Sequence, residues 1–236
     1  MDAKLISVII PCYNAGKYLT QALDSVYAQN YEPLEIVVVN DGSTDDTAEV
    51  VKAYPGVRYV YQQNQGPPVA RNTGLTHSTG ELIAFLDSDD LWKEGKLALQ
   101  RQYLEEHPEE GCVIGRWQNF LEAGTERPEW VPEEMLSEDT VVLALQASLI
   151  RREVFEQVGG FNPQYRVADD LEWFVRLREA GVMIGFMSSV LVNRRIHESN
   201  ISQDQNSVAS ATIHILKDHL DRQRGKTVES RPGAKS

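Results

Sequence analysis

The segment AFLDSDDLW, residues 84–92, places three carboxylates directly after an apolar run: Asp87, Asp89 and Asp90. Two carboxylates separated by one residue at the end of a strand suit a divalent ion that keeps several waters and bridges a diphosphate, as Mg²⁺ and Mn²⁺ do. A polar turn that caps the next helix has the same composition, and for this segment alone it is the better interpretation. The neighbours of the segment in the fold therefore decide between the two.

Two other predicted strands, at 5–10 and 34–39, also run into polar residues, PCYN and NDG. In open parallel sheets, ligands bind outside the carboxyl ends of the strands. Asp41, an acceptor on a rigid strand end, suits the N–H of uracil or the amino group of guanine, and Tyr13 offers an aromatic face to a base. A plain Asp-Gly turn would explain Asp41 on its own. Three polar strand ends at one sheet edge favour a nucleotide site.

The phosphates of such a nucleotide need ligands other than a glycine-rich loop. The first strand-to-helix turn reads PCYNAGKY, which lacks G-x-G-x-x-G, and no G-x-x-x-x-G-K-[ST] occurs. We therefore expect a metal ion and side chains to hold the phosphates. Arg71, in ARNTG, either contacts the diphosphate or forms an ion pair with Asp87, and a solvent-facing arginine is an equal alternative.

Strands alternate with helices along the chain, which predicts an α/β fold with a mostly parallel central sheet and helices on both faces, as in Rossmann-like proteins. The predicted strands are 5–10, 34–39, 57–61, 81–86, 145–150 and 185–196. The predicted helices are 15–29, about 45–54, 69–76, 95–106, 152–158, 170–180 and 207–220. Residues 104–140 are expected to form a strand or two and a long acidic loop.

The composition indicates one soluble globular domain of 236 residues, with 42% hydrophobic and 25% charged residues. A net charge of −12 disfavours nucleic acid as a partner, because phosphate backbones bind basic surfaces. No apolar run approaches 18 residues and the N-terminus has no cleavage signal, so we expect a cytoplasmic protein without a transmembrane segment. Cys12 and Cys112 are expected to be buried thiols.

Four motifs in order, VIIPCYN, VVVNDGSTDDT, ARNTG and AFLDSDD, closely resemble the nucleotide-sugar-binding half of inverting family 2 glycosyltransferases, which have the A-type glycosyltransferase fold. Each motif is loose alone, but their combination is highly specific. The segments ASLIRREVFEQVGGFN and ADDLEWFVRL resemble the acceptor-side segment and the Glu-Asp motif of that family. The resemblance covers about residues 5–202.

The resemblance implies a donor site at the strand ends and a divalent cofactor, Mn²⁺ or Mg²⁺. By this likeness, Pro11, Tyr13 and Asp41 contact the base, Arg71 lies near the nucleotide, Asp87 touches the ribose, and Asp89 binds the metal ion. Asp90 is expected to be a helix cap or a supporting group. His197, in RRIHESNIS, is expected to assist at the metal or the diphosphate.

The resemblance also implies the catalytic base. In the Glu-Asp motif the second acid is usually the base, which assigns that role to Asp170, six residues before Arg176. Asp169 then replaces the usual Glu. A helix cap with a favourable first-turn charge is the structural alternative for this acidic pair.

Residues 1–103 are then the nucleotide-sugar-binding half, 104–220 the acceptor and catalytic-base half of the same domain, and 221–236 a disordered tail. The implied reaction moves a sugar from a nucleoside-diphosphate sugar, with UDP as the expected nucleotide, to a saccharide or lipid-linked acceptor, in polysaccharide or glycoconjugate synthesis. The alternatives are a sugar nucleotidyltransferase and an inactive nucleotide-sugar-binding module. A peripheral membrane contact is compatible with this, and Trp117 and Trp130 are candidates for stacking on a sugar.

Overall fold

A computed structural model describes residues 4–122, 124–129, 131–197, 200 and 205–229. Its strands are β1 Ile6–Cys12, β2 Leu34–Asp41, β3 Val57–Gln62, β4 Leu82–Phe85, β5 Leu91–Trp92, β6 Glu110–Leu121, β7 Asp139–Thr140, β8 Ser148–Arg151 and β9 Met183–Ile196. Its α-helices are α1 Gly16–Tyr27, α2 Thr47–Lys52, α3 Pro67–Thr76, α4 Lys96–Glu106, α5 Glu133–Ser137, α6 Arg152–Val158, α7 Asp169–Glu179 and α8 Gln205–Glu229.

One sheet runs through the molecule in the order β3-β2-β1-β4-β8-β6-β9-β5, and β7 pairs with β6. The strands β3, β2, β1 and β4 are parallel to one another, as are β6 and β9, while β8 lies antiparallel between β4 and β6. The predicted α/β fold with its mostly parallel sheet is confirmed.

The continuous apolar runs of the first strands are buried because helices cover both faces of the sheet. On one face, Val37 and Val39 of β2 pack with Ala70 of α3. The alternate residues, Ile36 and Val38, belong to the main core cluster, since successive strand residues point to opposite faces. Burial on both sides explains why these strands read as unbroken β-branched stretches.

The short strand β5 is the last strand in the sheet order, and it follows the acidic turn after β4. It pairs antiparallel with β9, with Leu91 opposite Asn193 and Trp92 opposite Val192. The chain that leaves β9 therefore runs back alongside the segment that precedes β5. Two residues are too few to produce a periodic pattern, so this strand was missing from the prediction.

Helix α8 reaches Glu229, beyond the predicted end of the terminal helix at Leu220. Residues 221–229 of the expected tail thus belong to this helix, and residues 230–236 lie outside the described residues. This part of α8 packs against α7, because Glu179 accepts hydrogen bonds from Arg222 and contacts His219. In the part of the chain that the structure describes, no helix is long and apolar enough to cross a membrane.

The prediction that the two cysteines are buried can also be checked. Cys12 and Cys112 are free thiols and both are buried, as expected. Burial raises the pKa of each to about 12, so neither is a reactive thiolate at neutral pH. Trp173 and Phe174 are fully buried, which makes them core residues.

Candidate active site

The three polar strand ends predicted to converge do lie side by side, because β2, β1 and β4 are adjacent parallel strands. The loops after β1 and β2 are also hydrogen-bonded to each other. Asn14 N donates to Ser43 Oγ at 2.9 Å, and Thr44 N donates to Asn14 Oδ1 at 2.9 Å. This edge of the sheet is the candidate active site.

The N-terminus of α1 is already occupied by a carboxylate of the protein. Asp45 Oδ2 accepts a hydrogen bond from Gly16 N at 2.9 Å, and its Oδ1 accepts one from Thr47 N at 3.1 Å. Burial acts to raise the pKa of Asp45, but the hydrogen bonds from Thr47 and Gly16 outweigh it and lower the pKa. A phosphate cannot use this helix end, which agrees with the missing glycine-rich loop.

Asp41, the predicted base contact, is almost buried and holds the loop that leads into α3. Its Oδ1 accepts hydrogen bonds from Gln62 Nε2 at 2.7 Å and Gln65 N at 2.9 Å, and its Oδ2 accepts one from Gly66 N at 2.8 Å. A carboxylate offers about four acceptor positions, so Oδ2 keeps one for a ligand. Asp41 is therefore structural and also has capacity to bind.

Arg71 lies between the two halves of the site and binds a carboxylate from each. Its Nη2 donates to Asp87 Oδ1 at 3.0 Å, and its Nη1 donates to Asp169 Oδ2. The ion pair with Asp87 is thus present, and Arg71 is not a solvent-facing arginine. Burial acts to lower the pKa of Arg71, but the carboxylates of Asp169, Asp87 and Asp170 raise it overall.

Asp169 and Asp170 are the first residues of α7 and differ in exposure. Asp169 is buried by its contact with Arg71, whereas Asp170 is partly exposed. Asp170 Oδ1 accepts a hydrogen bond from Leu171 N at 2.8 Å. Burial, followed by the charge of Asp169, raises the pKa of Asp170 to about 6. A carboxylate with that pKa is mostly ionised at neutral pH and is an effective proton acceptor.

The acidic turn after β4 divides its three carboxylates among different neighbours. Asp87 binds Arg71, and burial, partly offset by Arg71, raises the pKa of Asp87. Asp90 is buried, where its Oδ1 accepts a hydrogen bond from Arg195 N at 2.8 Å. Burial and the charge of Asp89 raise the pKa of Asp90 well above its usual range. Asp90 therefore joins the acidic turn to the end of β9.

Asp89 points to His197, which the antiparallel pairing of β9 with β5 returns to this turn. Asp89 Oδ2 lies 2.8 Å from His197 Nε2 and 3.4 Å from Asn200 Nδ2. The two atoms Asp89 Oδ2 and His197 Nε2 are close enough to bind one ion side by side. Oxygen ligands suit Mg²⁺ and Mn²⁺, and the imidazole nitrogen favours Mn²⁺ of the two. The residues present fit a divalent ion.

The rest of a metal ion's coordination shell would have to come from the substrate and water. Among the described residues, three side chains of the metal-binding kinds cluster only at His107, Glu109 and Glu110, next to the start of β6 and away from this turn. At the sheet edge the protein offers the pair Asp89 and His197. Open coordination positions are what an ion that bridges a diphosphate requires.

Arg195 is a part of the site that the sequence did not reveal. It is 2% exposed, its Nε donates to Asp89 O at 2.8 Å, and its Nη1 donates to Glu122 Oε1 at 3.1 Å. Its guanidinium also lies 4.8 Å from the ring centroid of Tyr18. These contacts fix the backbone of the acidic turn. The only sequence feature that could have indicated a role for Arg195 is its position two residues before His197.

Other predicted site residues have different surroundings. Arg176 binds Glu172 and the carbonyl oxygens of Val158 and Gly160, so it joins α7 to the end of α6 and supports the site from outside. Pro11 is the second-last residue of β1, close to the strand end that borders the site. Tyr13 is 54% exposed, so its ring is accessible to a ligand.

Of the two tryptophans proposed for sugar stacking, only Trp117 lies within the described residues. Trp117 lies in β6 with the Arg194 guanidinium 5.2 Å from its ring centroid. Trp130 is outside the described residues.

Relatives of the chain are glycosyltransferases. The chain is 30% identical over 226 residues to a putative teichuronic acid biosynthesis glycosyltransferase, TuaG of Bacillus subtilis, covering 91% of this chain and 88% of the relative. It is 32% identical over 234 residues to an uncharacterized glycosyltransferase of Rickettsia felis, covering 90% of this chain and 38% of the relative. The chain spans well under half the length of that longer relative.

A family model described as Glycosyl transferase family 2 matches residues 7–159. The chain belongs to glycosyl transferase family 2, as its motifs predicted.

Solved structures share the fold. TarS of S. aureus, residues 1–349, in complex with UDP-GlcNAc superposes with a TM-score of 0.69 at 24% identity, over 89% of this chain and 65% of that chain. The mannosyltransferase PcManGT of Pyrobaculum calidifontis in complex with GDP-Man and Mn²⁺ gives 0.70 at 23% identity, over 92% and 64%. The A-type glycosyltransferase fold is thereby confirmed.

Proposed function

We propose that this protein is a metal-dependent inverting glycosyltransferase that uses a nucleoside-diphosphate sugar, with UDP as the nucleotide. Asp170 carries the proposal: it is partly exposed, its pKa is raised to about 6, and it adjoins the Arg71 cluster at the strand ends. Asp169, Arg71 and Asp87 all lie close enough for their charges to act on the pKa of Asp170, which a cap on an isolated helix would not require. The acceptor is a saccharide or lipid-linked hydroxyl compound in polysaccharide or glycoconjugate synthesis, and the reaction takes place in the cytoplasm.

Each end of the donor has a group of the required chemistry. Asp41 accepts an N–H of the base, Tyr13 covers the base, and Asp87 contacts the ribose. Asp89 and His197 would hold Mn²⁺ or Mg²⁺, and the bound ion would supply Lewis-acid stabilisation of negative charge on the leaving group. Asp169, Arg71 and Arg195 keep these acids in position.

Transfer then proceeds in one displacement. Asp170 accepts the proton of the acceptor hydroxyl while the hydroxyl oxygen bonds to the anomeric carbon. The bond from that carbon to the diphosphate breaks, and its electron pair stays on the diphosphate. Attack opposite the leaving group inverts the anomeric configuration, and no covalent enzyme intermediate forms.

The alternatives considered from the sequence have less support. A sugar nucleotidyltransferase would be expected to bind phosphates in the first strand-to-helix turn, where Asp45 occupies the helix end. An inactive binding module would have no use for a carboxylate with the raised pKa of Asp170.

The test separates donor binding from transfer. Asp170→Asn should keep Mn²⁺-dependent UDP binding, measured by thermal shift and calorimetry, but lower kcat by about 10² to 10⁴ because the proton acceptor is lost. Asp89→Ala should lose the Mn²⁺-dependent part of UDP binding. The readout of transfer is UDP release from UDP-sugars with saccharide and lipid-linked acceptors.

Glu156→Gln is the matched control, since Glu156 is an exposed acid of α6 away from the strand ends. It should change neither binding nor turnover. A fully active Asp170→Asn enzyme would remove Asp170 as the base. Failure of UDP, GDP, CDP and dTDP alike to shift the melting temperature with Mn²⁺ would overturn the proposed function.

A further inference from the structure

Arg166 lies on the loop that leads into α7 and reaches across to the loop before α3. A Cβ built on Gly66 would lie 2.9 Å from Arg166 Nε and 3.5 Å from its Cζ. The guanidinium therefore rests against the Gly66 backbone. Any residue other than glycine at position 66 would have its Cβ in the space that Arg166 occupies.

The guanidinium of Arg166 is uncommitted. Arg166 is exposed, and within the described residues its side chain makes no hydrogen bond or ion pair. The other arginines at this edge, Arg71 and Arg195, are buried and bound to carboxylates. Arg166 is thus a free donor group beside an acidic site.

Gly66, the residue that Arg166 packs against, is also hydrogen-bonded to Asp41. Gly66 N donates to Asp41 Oδ2, whereas Asp41 Oδ1 already accepts two hydrogen bonds. The remaining acceptor position of Asp41 is therefore on Oδ2, on the Gly66 side. The open acceptor position of Asp41 and the guanidinium of Arg166 therefore both adjoin Gly66.

We propose that Arg166 determines base specificity by pairing with Asp41 to recognise an N–H next to a carbonyl group. This inference rests on the proposed function. Asp41 Oδ2 accepts the N–H, and the Arg166 guanidinium donates to the neighbouring carbonyl oxygen. Uracil, thymine and guanine present that N–H and C=O pair. Cytosine and adenine do not, because an amino group and an unprotonated ring nitrogen stand in its place.

The experiment measures nucleotide preference rather than turnover. Binding of UDP, GDP, CDP and ADP to the full chain with Mn²⁺ is followed by calorimetry for the wild type, Arg166→Ala and Arg166→Lys. The wild type should prefer UDP or GDP to CDP and ADP. Arg166→Ala should weaken binding of the preferred nucleotide about tenfold or more and leave CDP binding within about twofold, since a charged hydrogen bond to the carbonyl is lost. Arg166→Lys keeps a cationic donor and should retain part of the preference.

Arg178→Ala is the matched control, because Arg178 is an exposed arginine in the last turn of α7. It removes the same charge and should leave all four affinities unchanged.

Two results would overturn the inference. Equal weakening of UDP and CDP in Arg166→Ala would mean that Arg166 acts on the phosphates, and unchanged preference would mean that it takes no part. Either result leaves the proposed function standing. A wild type that binds none of the four nucleotides would instead reject the proposed function itself.

Discussion

At the scale of single residues, the site is organised around Arg71, whose side chain holds Asp87 of the donor half and Asp169 of the base half. Five further carboxylates at the same edge would repel one another without compensation: Asp41, Asp45, Asp89, Asp90 and Asp170. Hydrogen bonds from backbone N–H groups stabilise the charges of Asp41 and Asp45, and His197 lies next to Asp89. The pKa values of Asp90 and Asp170 are raised instead. The raised pKa of Asp170 is therefore a product of its acidic neighbours and its burial.

The pH dependence of turnover follows from Asp170. The base must be ionised to accept a proton, and its pKa is raised to about 6. We expect kcat/KM to rise about tenfold per pH unit below pH 6 and to level off above about pH 7, since this parameter reports groups of the free enzyme. The measurement is kcat/KM from pH 5 to pH 8 at saturating Mn²⁺. A flat acid limb would contradict the assignment.

The residues of the site were predictable where they follow a strand and unpredictable where they come from far along the chain. Asp41, Asp87 and Asp89 stand directly after apolar runs, so their types and positions indicated chemistry. Arg195 reaches Asp89 through the pairing of β9 with β5, a contact between residues far apart in sequence. No local pattern encodes such a contact.

At the scale of elements, α4 is anchored by a buried lysine that lacks an acidic partner in the described structure. Lys96 Nζ donates to Gln100 Oε1 at 2.7 Å and Ser148 O at 3.1 Å, and it lies 4.2 Å from the ring centroid of Trp92. Burial lowers the pKa of Lys96 to about 7. In the unfolded chain a lysine has a pKa of about 10.4.

This difference makes stability depend on pH. Between about pH 7.5 and 9.5 the folded state has a neutral Lys96 while the unfolded state keeps the proton, so raising the pH favours folding. We expect the free energy of unfolding of the wild type to rise relative to Lys96→Met by about 1.4 kcal/mol per pH unit in that window. Urea unfolding at pH 7, 8 and 9 measures it.

Lys93→Met is the control for this measurement, because Lys93 is exposed just before α4. It should show the pH dependence of the wild type. Parallel curves for wild type and Lys96→Met would mean that Lys96 stays charged in the folded protein.

At the scale of the whole molecule, the sheet continues across residue 103, the predicted boundary between the two halves of the chain. Strand β4 pairs with β8, with Ile83 opposite Ile150, and Arg71 binds Asp169 across the same boundary. A fragment 1–103 would expose the edge of β4 and leave the buried charge of Arg71 with half its partners. The two predicted halves are therefore expected to fold as one unit.

A divided chain tests this view. We expect residues 1–103, expressed alone, to be insoluble, and coexpression with 104–236 to recover soluble protein that binds UDP with Mn²⁺. The soluble fraction and the UDP affinity are the two measurements. A soluble 1–103 fragment with cooperative thermal unfolding would contradict the single folding unit.

The first four strands and the helices between them were predicted well, because burial on both faces leaves continuous apolar runs. The second half was predicted less well. Strand β8 inserts antiparallel between β4 and β6, and the tie of α8 to Glu179 depends on a partner about 40 residues earlier. These arrangements depend on tertiary contacts.

Two glycines with the same φ angle should differ in how well they tolerate substitution. Gly56 and Gly66 both have a φ of 94°, but a Cβ at Gly56 would meet nothing within 4 Å, whereas at Gly66 it would meet Arg166. In a saturation library selected for function, asparagine at position 56 should survive more often than asparagine at position 66. The difference in survival would report what the enzyme loses when Arg166 is pushed away, and pairing the library with Arg166→Ala should reduce that difference.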